Sequence, residues 1–222
     1  MRAVVGPRSL VAGSCLAAVL SGIAAPAVAR PRYAWSVRPL SPAQRAAARG
    51  VSWHAGCPVD LAQLRAVRVR HWTFSDGVAR GTLLVGASNA KLVAAAFGSI
   101  YRSGYRVRRM LPVDPYGGSD YRSIEADNTS AFNCRNATGS SSWSNHAYGL
   151  AIDVNPIENP YETDGTSSHP ASAPYLVRSR RRRGMVHHGD AVWRAFAAIG
   201  WHWGGDASGS IRDYQHFSPT GR

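Results

Sequence analysis

Ser144-Asn145-His146-Ala147-Tyr148-Gly149-Leu150-Ala151-Ile152-Asp153, read with the distant Asp213-Tyr214-Gln215-His216-Phe217, brings two imidazoles and two carboxylates into view. A hydrolytic zinc site needs three N/O ligands, an open position and a base for the water it activates. His146, Asp153 and His216 could be those ligands, with Asp213 as the base. Fully extended, His146 to Asp153 would span roughly 23 Å, so the chain must double back if both are to reach one ion. Gly149 can make that turn. After it, Leu150 to Val154 reads as a short buried strand carrying Asp153, with His146 on the loop before it. On this stretch alone, a turn-capping Asp153 and a hydrogen-bonded surface His146 explain the residues equally well.

Two further segments accompany the pair, Asp127-Asn128-Thr129-Ser130-Ala131-Phe132-Asn133-Cys134-Arg135 and Gly200-Trp201-His202-Trp203-Gly204-Gly205-Asp206, and the first stretch itself has the spacing Ser144-x-His146-x-x-Gly149-x-Ala151-x-Asp153. Together with Asp213-x-x-His216-Phe217 they resemble the zinc D-alanyl-D-alanine carboxypeptidase family, which includes VanY-like enzymes and L-alanyl-D-glutamate endopeptidases. The likeness covers about the last half of the chain. It implies an α+β fold of the hedgehog/DD-peptidase type, a single domain with a small antiparallel sheet and flanking helices. It also implies a Zn2+ cofactor and a peptidoglycan stem peptide as substrate. His202 competes with His216 as third ligand, because in an extended segment it faces away from Trp201 and Trp203; the family pattern favours His216 and makes the Trp-Gly-Gly segment a cleft wall. Relatives commonly carry tryptophan after Gly-Gly-Asp, whereas this chain has Ala207. That puts a wall contact in doubt rather than the metal site. Asp213 and His216 would face opposite sides of an ideal strand. Asp213 must therefore precede the strand or sit at a bulge.

A substrate with a free carboxylate calls for a cation, and arginine's planar fork can grip it with two hydrogen bonds. Arg135 is the first candidate, in line with the family's substrate-binding arginine upstream of Ser-x-His. Arg122 competes, and Asp127 could instead pair with Arg135 structurally. Ser144 lies in no nucleophile elbow and suits a supporting hydrogen bond or a substrate contact.

Met1 to Ala29 reads as a secretory signal peptide. Arg2 and Arg8 precede an apolar run from Leu10 to Val28, and Ala27-Val28-Ala29 forms the cleavage site. The run is too interrupted for a retained membrane anchor. Export would leave Cys57 and Cys134 as a pair in an oxidising compartment, where a disulfide is expected. The expected location is extracellular or cell wall. The 222-residue chain carries a formal charge of +13 with Lys91 its only lysine. No zinc finger, basic heptad or RNA-binding signature goes with the arginines, which argues against nucleic acid. The run Arg178 to Arg183 is a candidate for an anionic wall polymer.

Domain organisation reads as signal 1–29, a Pro- and Arg-rich lead-in 30–50 and a catalytic domain 51–222. Ser41 and Pro42 start a short helix in the lead-in. Val67–Phe74 and Val78–Val85 around Ser75-Asp76-Gly77 predict a hairpin. Ser88 is expected to cap a helix with Leu92, Val93, Ala96, Phe97, Ile100 and Tyr101 on its buried face, stopped by Gly104. Tyr105 to Met110 reads as a strand, and Asp190 as the cap of a last helix. Two other activities stay open. One is an endopeptidase cutting L-alanyl-D-glutamate; the other is a wall-binding domain that keeps the fold without hydrolysis.

Overall fold

The computed structural model describes residues 1–4, 6 and 31–221. The signal peptide expected over 1–29, with Cys15, therefore falls largely outside the described residues. Residues 31 onward form one compact α+β unit. Its first sheet is antiparallel, in the order β1 (Trp35–Pro39), β2 (Leu64–Trp72), β3 (Val78–Gly86). Between β1 and β2 lies α1 (Pro42–Ala48), started by a reciprocal cap between Ser41 and Gln44. After β3 come α2 (Ala90–Ser103), β4 (Arg109–Met110), α3 (Asp120–Glu125) and β5 (Asn128–Thr129), with β4 and β5 paired in parallel. The remaining strands are β6 (Ile152–Asp153) and β7 (Tyr161–Thr163); α4 (Ala191–Ala197) precedes β8 (His202–Trp203), β9 (Ile211–Asp213) and β10 (His216–Ser218). They make two more antiparallel sheets, β6-β10-β8 and β7-β9.

The expected hairpin forms, with β2 and β3 in register from Leu64↔Gly86 to Trp72↔Val78. The odd-numbered residues Val67, Val69, Leu83 and Val85 pack with Val93, Phe97 and Ile100 of α2 and Phe196 of α4. At one end of the opposite face Leu64, Ala66 and Leu84 join Leu40, Ala48 and Phe132 in a second cluster. The hairpin thus forms the middle layer between two cores.

Several local expectations need revising. The 30–50 lead-in does more than lie on the surface, because Trp35–Pro39 pairs with β2 along its whole length. A Pro-ended strand is tolerated there because only one of its edges is paired. The cap of α2 is Asn89, without a side-chain cap bond, and not Ser88; Gly104 does end the helix at φ 78°. Leu92 is exposed on α2, while Ala90 and Ala94 fill the buried face. Of the strand expected over Tyr105–Met110 only Arg109–Met110 forms, its partner β5 being two residues long.

Cys57 and Cys134 form the expected disulfide across a sequence separation of 77. Closing so long a loop is worth about 4 kcal/mol in the chain-entropy model. It ties the segment before the short 3-10 turn Leu61–Gln63 to the stretch that leads to Arg135.

The loop after β6 is buried throughout residues 151–160 despite its polar content. Arg108 bridges Asp127 and Glu158 at 2.8 Å each, Asp127 accepts from the Ile157 amide, and Arg178 donates to the Glu158 carbonyl. Burial, reinforced by the hydrogen bond and charge of Asp127, raises the Glu158 carboxyl to about 8 against the pull of Arg108. In the unfolded chain it ionises near 4.5. Because the folded state holds that proton longer, stability falls as pH rises from about 4.5 to about 8. Glu158→Gln is expected to remove most of this pH dependence. Melting temperatures measured from pH 5 to 9 should drop less in the variant; parallel curves would refute the assignment.

Candidate metal centre

Gly149 sits at φ 65°, ending the short 3-10 turn Asn145–Tyr148, and a side chain on it would collide with the Gly86 backbone at 2.5 Å. Only glycine satisfies both the conformation and the contact. The turn brings His146 back over β6, whose Asp153 pairs directly with His216 of β10. Ser144 caps the turn, its hydroxyl accepting the His146 amide. That is the supporting hydrogen bond expected of it, and the residue also lines the cleft.

His146 Nε2 lies 3.1 Å from Asp153 Oδ2 and 3.3 Å from His216 Nδ1, and His216 Nδ1 lies 3.2 Å from Asp153 Oδ1. All three residues are buried. Ligands held tetrahedrally at 2.0–2.1 Å stand about 3.3 to 3.4 Å from one another, and the 3.3 Å between the two ring nitrogens is such a spacing, with one carboxylate oxygen of Asp153 close to each ring. The His146 Nδ1–H donates to the Ala131 carbonyl, which leaves the Nε2 lone pair facing the cluster. His216 Nε2 is buried without a hydrogen-bond partner. The donor set fits a divalent ion of the zinc type. His54, Cys57 and Cys134 also cluster, but the two sulfurs are committed to the disulfide.

Charge accumulates accordingly. Burial opposes ionisation of Asp153, yet the charge and hydrogen bonds of His146, joined by those of His216, hold its carboxyl well below the usual range. Burial would lower His146, and the Asp153 charge and hydrogen bond outweigh it to raise its pKa. Two imidazoles gathered on one buried carboxylate is an arrangement a cation can replace.

Asp213 does precede a strand, as the spacing required, and its geometry is more specific than that. It ends β9 while His216 begins β10, and the two strands belong to different sheets. The turn between them is fixed by the Trp203 indole, which donates to the Tyr214 carbonyl. Gly204 lies against Asp213 so closely that a side chain there would meet the Asp213 carbonyl at 2.5 Å. The Trp-Gly-Gly segment thus walls in the acid. Asp213 Oδ1 is buried and unpartnered. Burial chiefly, with the Asp153 charge, raises its carboxyl to about 7, while His216 and Arg135 oppose the shift. A carboxyl near 7 is matched to proton transfer at neutral pH. His202 is exposed on β8, away from the cluster it was set against.

Arg135 and Asp213 line two adjoining clefts, of about 680 and 370 Å³. The smaller holds His146, His216, Ser144 and Ala207; the larger holds Tyr121, Tyr161, His169 and Gln215. Arg122 lines neither and is exposed on α3. Arg135 pairs with Asp120 at 2.9 Å, whereas Asp127 goes to Arg108. Asp120 was not foreseen, since a helix-start aspartate carries no signal beyond its place after the Ser119 cap. His169 is buried and stacked on Tyr121 at 4.3 Å between centroids.

Residues 138–219 match the model of a family described as D-alanyl-D-alanine carboxypeptidase. The match contains His146, Asp153, Asp213 and His216, bears out the resemblance read from the motifs and supports a peptidase. No curated protein and no solved structure matches the chain.

Proposed function

We propose, from that family match and from the 3.1 to 3.3 Å triangle of His146, Asp153 and His216, that this chain is an exported zinc-dependent peptidase that removes the terminal D-alanine from D-alanyl-D-alanine stem peptides. The triangle is the observation that carries the reading. Zinc held there supplies a Lewis acid for the scissile carbonyl and lowers the pKa of a bound water. Asp213 takes the proton of the attacking water on its carboxylate and returns it to the leaving amine. Its buried, unpartnered Oδ1 leaves an acceptor open for that proton. Arg135, steadied by Asp120, holds the substrate carboxylate. The A-x-A site and the disulfide support export. The β6-β10-β8 sheet, with both ligand strands side by side, supports the hedgehog/DD-peptidase type of fold.

The experiment is D-alanine release from a pentapeptide ending in D-alanyl-D-alanine, with and without added zinc. Release dependent on zinc is expected; no release under either condition would reject the carboxypeptidase. Arg135→Ala is expected to raise KM about tenfold or more with a smaller change in kcat, and Arg122→Ala to change neither. Equal loss in the two variants would refute the role of Arg135. A peptidoglycan endopeptidase of the L-alanyl-D-glutamate type is the second reading, favoured by one observation: the cleft continues on both sides of Asp213 and Arg135. It predicts cleavage of intact peptidoglycan and no need for the terminal carboxylate.

A further inference from the structure

The arginine run 178–183 is not the open cationic surface its sequence suggests. Arg178 is turned inward, donating to the carbonyls of Glu158, Tyr175 and Val186 and lying over the Tyr214 ring at 4.2 Å. Arg183 pairs with Asp76 and donates to the Phe74 carbonyl. Only Arg180, Arg181 and Arg182 stay exposed without such contacts.

A different concentration of charge lies on the first sheet. Alternation puts the odd residues of β1, β2 and β3 on α2 and the even ones on the opposite face, where Leu64, Ala66 and Leu84 are covered by the second core. The rest of that face is bare and carries Arg38, Arg68, Arg70 and Arg80. Arg70 stands directly opposite Arg80, and Arg68 opposite Ser36 and Thr82. Like charges directly across a sheet repel. No acid relieves them: among the described residues none of the ion pairs includes any of the four, and Arg38, Arg68 and Arg80 make no side-chain hydrogen bond. Arg70 donates only to the Arg32 carbonyl. A groove lined by Ala34, Trp35, Ser36, Arg68, Val69 and Arg80 runs along β1 and β2.

We infer that this face docks an anionic, phosphodiester-linked polymer of the cell envelope. Its arginines are aligned on a rigid sheet, where a regularly charged chain can meet several guanidinium groups in succession. The exposed aromatic lining this groove is Trp35, while Trp72 is stacked on Tyr101; one open ring offers no run of platforms for successive bases, which favours a polymer without bases over a single-stranded nucleic acid. The same strand reaches the metal cluster: β3 ends at Gly86, which donates to the Gly149 carbonyl just past His146. Arg80 is six residues away, about 20 Å along the strand. The docked polymer would therefore hold the chain on the wall with its cleft free. The location at the wall rests on the proposed export; the binding itself does not depend on catalysis.

The test measures binding of the full chain to a glycerol-phosphate polymer across a salt series, beside the triple variant Arg38→Gln/Arg68→Gln/Arg80→Gln and the control Arg180→Gln/Arg181→Gln/Arg182→Gln. The sheet variant should bind about tenfold or more weakly and lose about 2 from the slope of log affinity against log salt. The control should stay within about threefold of the parent. Among the described residues none of the three sheet arginines makes a side-chain hydrogen bond or ion pair, so the melting temperature of the variant should not fall. Unchanged affinity in the sheet variant, an equal loss in the control, or tighter binding of a single-stranded oligonucleotide would overturn the inference. D-alanine release assayed on free pentapeptide should be unaffected in the sheet variant. That separates failure of the docking surface from failure of the peptidase.

Discussion

His216→Ala is expected to abolish the proposed zinc binding and hydrolysis together, and His146→Ala to do the same. Each removes one corner of a buried triangle and leaves Asp153 with a single imidazole partner. Even residues that merely support a metal ligand change affinity 10- to 100-fold, so loss of a ligand should weaken zinc by more than about 100-fold. Metal content after dialysis, read beside D-alanine release, checks this. A variant that keeps one zinc per chain would show that the ion is held elsewhere. His202→Ala serves as the comparison and should retain both metal and activity, since His202 is exposed on β8.

Asp213→Asn separates the base from the ligands. The carboxamide keeps the size of the side chain and its place between Gly204 and the cleft, but cannot accept the proton. A positioned base contributes about 10²- to 10⁴-fold, and kcat should fall in that range while zinc content stays at wild-type level. A loss in KM alone, or a fall below about tenfold, would remove Asp213 from the chemistry. A shared loss of metal would instead mark it as a ligand.

How much of this was legible in the sequence depends on the distance over which each feature is determined. The clustering of His146 with Asp153 was legible because Gly149 and the short strand after it act locally, whereas His216 was preferred to His202 only through the family pattern, and it is the pairing of β6 with β10 that brings it there. The placement of Asp213 could be anticipated only as a departure from one strand. Its actual cause is a change of sheet between Asp213 and His216, fastened by Trp203 from elsewhere in the chain. Arg135 was preferred to Arg122 from the resemblance alone; that Arg122 stands exposed on α3 while Arg135 lines both clefts is set by tertiary packing. Charge runs read worst. Arg178 looks like its neighbours in sequence, yet it is spent on buried carbonyls, while Arg70 and Arg80 are brought together only by hairpin register. Strand β1 was hidden by Arg38 and Pro39, since an edge strand needs one partner and little apolar content. Leu92 fell on the exposed side of α2 because small alanines, not leucine, let that helix sit close to the sheet.

The most direct measurement is a zinc titration of metal-free chain, following D-alanine release from the pentapeptide. The triangle of His146, Asp153 and His216 predicts activity that rises linearly and saturates at one zinc per chain, and that is absent at every zinc level in His216→Ala. Full activity in the metal-free chain, or activation by zinc that survives loss of His216, would contradict the account.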